Sequence, residues 1–571
     1  MQERKAHKIF LIVSILGAAF CLAILIPHVR IFVIGIAETV LGRNFDGDKW
    51  MDVIFQYVGI GILSFGFIVF HLTTNIDLEK HKKIFALATI GIILMGIVII
   101  ITMQARVRSL WGDESSLAYS IVTRSWNNLL VPPLEHMQSA PILYVVFVKL
   151  LGFMFGYSEF SLRLFSFLAF IGLLICTKIF AKNSLCYDNH KTAFVVTMSA
   201  ILPTFVWYSN EFKPYISDAF FVVLTLLCYF YYTQGKIRLP ILSALYLVFF
   251  GFSTPLIFFV GGIFIYEFIT SVVDKNKRKA LFTFLSGLII LTISVLYYFW
   301  WHSPVLEGMQ AFWGCSHADG RDLIIRLLTL FRGMNNIDAS FLLLLFPIAL
   351  TGVISLVKSK NKIAVSVLIS LALVFSASLM GFWPLTGRLW LFLPAIVLIF
   401  TPSGIDFIRD KIKRKKIIDL VSVSLFSAMV IYYSINTLGF IGNRMYFWGQ
   451  EINPLIHHVQ NNIRYGEKLY VFPPARNTVQ FRNGFSSKRI GDASVDNIIF
   501  GTNRSEWNDD ALGDELRAIA EHERVYLLFQ LQAHIRIENG LNVLRNYGTI
   551  TEVLNFHGTP LYFFERHFNG E

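Results

Sequence analysis

The sequence predicts a polytopic α-helical membrane protein of about thirteen transmembrane helices, with amphipathic juxtamembrane helices in a large outer loop and a C-terminal α/β domain. Three observations predict it. Of 571 residues, 55% are hydrophobic and only 15% charged, and the mean hydropathy is +0.58, outside the range of ordinary water-soluble folds. Apolar runs near twenty residues, the length that crosses about 30 Å of hydrocarbon, recur along the first 440 positions. Basic residues gather in alternate loops, as the positive-inside rule requires.

The runs fall at approximately 8–27, 52–71, 84–104, 162–182, 192–207, 216–233, 239–252, 255–272, 280–301, 340–357, 363–382, 388–402 and 417–440. The first is followed by Pro27, His28 and Arg30 rather than a small-residue cleavage site, so it reads as a retained span. Lys80, Lys82 and Lys83, Lys275 to Lys279, Lys358 to Lys362 and Lys411 to Lys416 share one side with the N-terminus. That side is cytoplasmic, and an odd number of crossings puts 441–571 outside. The formal charge of +12 is absorbed by this pattern and gives no reason to expect nucleic acid. Of five cysteines, only Cys315 falls outside, so neither a disulfide framework nor a cysteine zinc site is expected.

Two outer loops, 105–161 and 302–339, are long enough to fold on the membrane surface. After 441 the composition turns soluble. Periodicity predicts helix 451–463, strand 468–473, helix 512–522, strand 524–529, helix 536–546 and a closing hairpin over 551–566, with no glycine-rich phosphate fingerprint. The chain thus divides into two additional N-terminal helices at 1–83, a transmembrane core at 84–440 and an extracytoplasmic α/β domain at 441–571.

Three outer segments carry candidate chemistry. Arg106-Val-Arg-Ser-Leu-Trp-Gly-Asp113-Glu114 places two carboxylates where the chain leaves the third span, and ionisable groups at membrane depth usually serve a site. Asp113 as a simple cap of a helix starting near Ser115 is the alternative. Trp207-Tyr-Ser-Asn-Glu211-Phe-Lys213-Pro214-Tyr215 crowds a carboxylate, an ammonium and two phenols at the end of the fifth span. Pro214 suits the first turn of the next helix, which puts Lys213 and Tyr215 at an anion-favouring N-terminus. Trp207 and Tyr208 read as interfacial anchors. Gly381-Phe-Trp-Pro-Leu-Thr-Gly387-Arg388-Leu-Trp heads the twelfth span with a guanidinium matched to phosphate oxygens, or else one that snorkels to lipid headgroups. Together these loops supply a carboxylate to take a proton from an acceptor hydroxyl and cations to receive a phosphate leaving group.

These motifs resemble the membrane-embedded C-type (GT-C) glycosyltransferases, especially bacterial relatives of protein O-mannosyltransferases and of the aminoarabinose transferase acting on lipid A. Trp111-Gly-Asp113-Glu114, Ser125-Trp126, Gln138-Ser-Ala-Pro141-Ile-Leu-Tyr144 and Glu159-Phe-Ser-Leu-Arg163-Leu look like that family's first outer loop. Glu211-Phe-Lys213-Pro214-Tyr215 looks like its acidic and basic-Pro-Tyr segment, and Gly387-Arg388-Leu-Trp-Leu-Phe-Leu-Pro394 like a late-span motif. The likeness covers roughly 84–402. It implies inverting transfer of a hexose or pentose from a polyprenyl-phosphate-linked donor to a lipid, glycan or protein at the outer face of a bacterial plasma membrane. Asp113 resembles the base, with Glu114 and Glu211 as further acids and Lys213, Tyr215 and Arg388 as donor-phosphate contacts.

The chain departs from that pattern at Ser139, where relatives carry lysine or histidine before a proline. His136 and Gln138 are the nearby candidate contacts to donor or acceptor. Some relatives bind a divalent metal, and Asp113, Glu114 and Glu211 offer oxygen ligands suited to magnesium or manganese. His302 and His317 share an outer loop but belong to no zinc spacing. A transporter or flippase of lipid-linked sugars is the second reading. It needs polar residues deep in spans, where only Asp218 and Glu267 stand out. A scaffold presenting 441–571 is the third, and it leaves the loop motifs without a purpose.

Overall fold

The computed structural model describes residues 78–105, 108–305, 341–412, most of 426–440, and 450–482, 498–502, 509–530 and 537–567. The expected spans at 8–27 and 52–71, most of the 302–339 loop with Cys315 and His317, and the basic run 413–416 lie outside the described residues. Two compact units emerge. One holds the chain up to Ala105, Ala140–Phe147 and Arg163–Gly442; the other holds Arg106–Ser139, Val148–Leu162 and the chain from Asn443 onward.

The first unit is helical. Six helices among the described residues are long and apolar enough to cross a membrane: Glu159–Asn183, Tyr215–Thr233, Leu256–Val273, Lys277–Val305, Lys362–Leu379 and Phe392–Lys411. Shorter apolar helices occupy Ile90–Ala105, Ile142–Phe155, Leu239–Phe250 and Leu344–Lys358. The run expected as one span at 192–207 is two helices, Asn189–Ile201 and Pro203–Tyr208. Pro203 has no N–H to continue the ladder and drives Leu202 into an extended conformation. Ile142–Phe155, expected within the outer loop, is one continuous apolar helix.

Close approach between helices is set by missing side chains. Phe341–Lys358 packs on Phe392–Lys411, and a Cβ at Gly404 would strike the Ile348 carbonyl while one at Gly352 would strike that of Phe400. The two backbones therefore meet directly, the contact that small residues allow in helix pairs of the bilayer.

Among the described residues, the second unit contains a five-stranded mixed sheet of β1 (Lys468–Val471), β2 (Ile498–Phe500), β3 (Arg524–Leu528), β4 (Gly548–Phe556) and β5 (Thr559–Arg566), in the order β2-β1-β3-β5-β4. β1 pairs in parallel with β2 and β3, whereas β5 is antiparallel to β3 and β4. Alternation along β3 serves two cores. Val525 and Leu527 pack with Leu512, Leu516, Leu541 and Leu544 from the helices Asp509–Ile519 and Ile537–Arg545. Tyr526 and Leu528 pack with Leu455, Val459 and Val479 from the helices Asn453–Asn462 and Arg476–Arg482. Burial on both faces is why β1 and β3 read as nearly unbroken apolar runs.

Because Gly404 meets a neighbouring backbone rather than a movable side chain, Gly404→Val is expected to cost about 1–3 kcal/mol through overpacking. Thermal unfolding of the detergent-solubilised protein measures it; an unchanged midpoint would contradict the direct backbone contact.

Candidate functional site

In the first unit, the end of the Pro203–Tyr208 helix and the turn after it bring together several of the expected residues. Trp207, Tyr208, Glu211, Lys213, Tyr215 and Arg388 are all buried. The Trp207 indole Nε1 donates to Glu211 Oε2 at 2.9 Å. The spacing of four places the indole directly over the turn that carries the carboxylate. Ser166, from the Glu159–Asn183 helix, donates its hydroxyl to the Glu211 carbonyl at 2.7 Å and to that of Lys213 at 3.3 Å. The Lys213 N–H donates to the Glu211 carbonyl at 2.8 Å, tightening the turn.

Pro214 is the N-cap of the Tyr215–Thr233 helix, so Lys213 and Tyr215 flank its first turn as the sequence predicts. Arg388 lies in a 3-10 turn, Gly387–Trp390, ahead of the Phe392–Lys411 helix. Its guanidinium lies over the Tyr215 ring, 5.7 Å from the centroid, and Tyr215 meets Tyr208 edge to face at 5.3 Å. Burial holds the Tyr208 phenol well above its ordinary pKa; Glu211 adds to the rise and Arg388 opposes it.

These positions revise the reading of Trp207 and bear on the alternative given for Arg388. Trp207 is 2% exposed and serves Glu211, which is not the role of an interfacial anchor. Arg388 is 5% exposed and stacks inside the protein instead of extending to headgroups. Ser166 was not singled out in the sequence, and Trp207 was read there as an anchor; the i, i+4 spacing of Trp207 and Glu211 was the available signal for its bond.

Asp113 and Glu114 belong to the second unit, in the first turn of the helix Gly112–Thr123. The N-cap is Trp111, not Asp113. Glu114 reaches back to accept the Trp111 N–H at 3.3 Å, and Arg108 Nη2 lies 3.4 Å from both of its oxygens. Glu114 and Arg108 are fully buried, whereas Asp113 beside them is only half-buried. Capping and charge pairing thus fall to Glu114, and Arg108 is a partner that the sequence reading left unassigned. The far end of this helix is closed by Lys149, whose Nζ donates to the carbonyls of Ile121 and Arg124 at 2.6 and 2.7 Å.

Gln138 is half-buried after a short turn, Glu135–Met137, and the His136 side chain lies outside the description. Among the described residues, no three His, Cys, Asp or Glu side chains group closely enough to hold a metal ion. Glu114 pairs with Arg108, and Glu211 accepts from Trp207. Glu267, one of the two acids noted within spans, is met by the Tyr229 hydroxyl and by Lys279 Nζ, each at 2.7 Å.

Among solved structures, the chain is similar in fold to ArnT from Cupriavidus metallidurans. Its apo crystal structure matches with a TM-score of 0.51 at 9% identity, over 83% of this chain and 97% of that one. The crystal structure bound to undecaprenyl phosphate matches with a TM-score of 0.51 at 9% identity, over 84% of this chain and 97% of that one. The chain therefore has the GT-C fold of those proteins. No family model and no curated protein matches the sequence.

Trp207→Phe keeps the ring but removes the donor to a buried carboxylate. A charged hydrogen bond of this kind contributes about 1.5–3 kcal/mol, so the unfolding midpoint should fall by several degrees in a thermal-shift measurement. A midpoint equal to wild type would remove the Trp207–Glu211 bond as a support of this turn.

Proposed function

We propose that the chain is a membrane glycosyltransferase, moving a sugar from a polyprenyl-phosphate donor to a hydroxyl acceptor at the outer face of a bacterial plasma membrane. The observation that carries this reading is two buried cations, Arg388 over the Tyr215 ring that meets Tyr208 and Lys213 two positions before Tyr215, in a helical unit with the GT-C fold. Buried cations suit a phosphate, and one ArnT structure of this fold is bound to undecaprenyl phosphate.

In the proposed step the acceptor oxygen attacks the anomeric carbon and the carbon–oxygen bond to phosphate breaks. The polyprenyl phosphate leaves with the bonding pair, the anomeric configuration inverts, and the acceptor proton passes to Asp113. Asp113 suits the base because it is half-exposed, whereas Glu114 is spent on Arg108. Lys213 and Arg388 stabilise the charge that grows on the leaving phosphate, and the Tyr208 and Tyr215 phenols add hydrogen-bonding capacity beside them. Thirteen crossings, a cytoplasmic N-terminus, a core over 84–440 and an extracytoplasmic 441–571 domain complete the proposal. A flippase reading gains nothing from Glu267, which is fully engaged with Tyr229 and Lys279.

Two outcomes follow. Asp113→Asn in liposomes, supplied with a lipid extract containing polyprenyl-phosphate sugars, should lower release of polyprenyl phosphate by about 10²–10⁴-fold, the contribution of a general base. Mass spectrometry of the released lipid reads it, and full turnover at normal protein yield would remove Asp113 from that role. Arg388→Gln should weaken binding of undecaprenyl phosphate itself by about tenfold or more. Isothermal titration in nanodiscs checks this, and unaltered affinity would place the phosphate elsewhere.

A further inference from the structure

The segment Arg108–Trp111 has no regular secondary structure, and its buried backbone groups need partners from outside it. They find them on the chain beyond 449. Ser109 N–H donates to Glu451 Oε2 at 3.0 Å, and the Gly112 N–H donates to Gln450 Oε1 at 3.1 Å. The Leu110 carbonyl accepts from the Thr478 hydroxyl at 3.0 Å, and the Ser109 hydroxyl accepts from the Asn453 N–H at 2.9 Å.

The anchors are themselves tied to the sheet. The Glu451 N–H donates to Thr559 Oγ1 on β5 at 3.0 Å. Gln530, just past β3, donates to the same Gln450 oxygen at 3.0 Å. Thr478 is on the Arg476–Arg482 helix, whose Val479 lies in the apolar layer under the sheet. Each bond ends on the main chain of the four residues before Asp113 or on the Ser109 hydroxyl. A third backbone donor, the Trp111 N–H, goes to Glu114. A contact made only for adhesion has no reason to select consecutive backbone groups leading into one carboxylate.

We infer that the α/β portion acts as a positioning device for Asp113, with Gln450, Glu451, Asn453 and Thr478 as positioning residues that fix how the Gly112–Thr123 helix begins. The inference rests on Asp113 being the base. It gives the tail a part in turnover without bringing it to the reacting atoms. Its effect belongs in kcat, since a misplacement near 1 Å costs about 10²-fold in rate, and leaves the lipid-phosphate contacts at Lys213 and Arg388 as they were.

The test uses the full-length protein in nanodiscs. Thr478→Val combined with Gln450→Met removes two of the bonds at nearly constant shape. Peptides covering 108–116 should exchange amide hydrogen about tenfold faster, the equivalent of one lost hydrogen bond, while β3 peptides keep their protection. Turnover should fall about 10²-fold with KM for the lipid donor unchanged, and Thr478→Ser with native Gln450 should restore it. If the pair loosens β3, Gln450→Met alone carries the test, because Gln450 lies outside both apolar layers of the sheet.

Made in an Asp113→Asn protein, the same pair should cost no further turnover. Unchanged kcat in the pair, beside an inactive Asp113→Asn, overturns the positioning role and spares the base. Full activity of Asp113→Asn overturns the base assignment itself.

Discussion

Arg108 and Glu114 face each other with no access to water, and the geometry of the first loop depends on that pairing. Taking two charges out of water is costly, and removing one partner of such a pair typically costs about 3–5 kcal/mol because the other is left bare. Glu114 therefore has no freedom. It holds Arg108 and the Trp111 N–H at once, which fixes the first turn of its helix, where Asp113, one position earlier, is half-buried. The same rule governs the other unit, where Glu211 is buried with the Trp207 indole on one oxygen.

Much of the fold was legible because its signals are periodic and long. Apolar runs mark the helices that bear them, and the order helix, strand, helix, strand, helix, hairpin after residue 450 is the order observed. The short elements were missed. β2 is three residues long and the Arg476–Arg482 helix seven, too short for periodicity to speak. Pro203 shows why a run of suitable length need not be one helix: hydropathy sees composition, while the break comes from a missing N–H.

The candidate site was legible by residue type and less so by environment. Trp207 and Arg388 have good reasons to sit at a membrane interface, and sequence alone cannot show that their neighbours bury them. The grouping of Arg106–Ser139 with the chain from Asn443 onward was equally hidden, since the bonds joining them span more than three hundred positions. One end of each is a backbone atom, which carries no sequence signature.

The central claim is that Lys213 and Arg388 receive the phosphate of a polyprenyl donor. A cryo-electron microscopy structure of the full-length protein in nanodiscs with undecaprenyl phosphate tests it most directly. Phosphate density within hydrogen-bond distance of Lys213 Nζ and the Arg388 guanidinium, beside Tyr215, is the predicted result. Density for the lipid phosphate at any other place, with these two side chains unengaged, would contradict it.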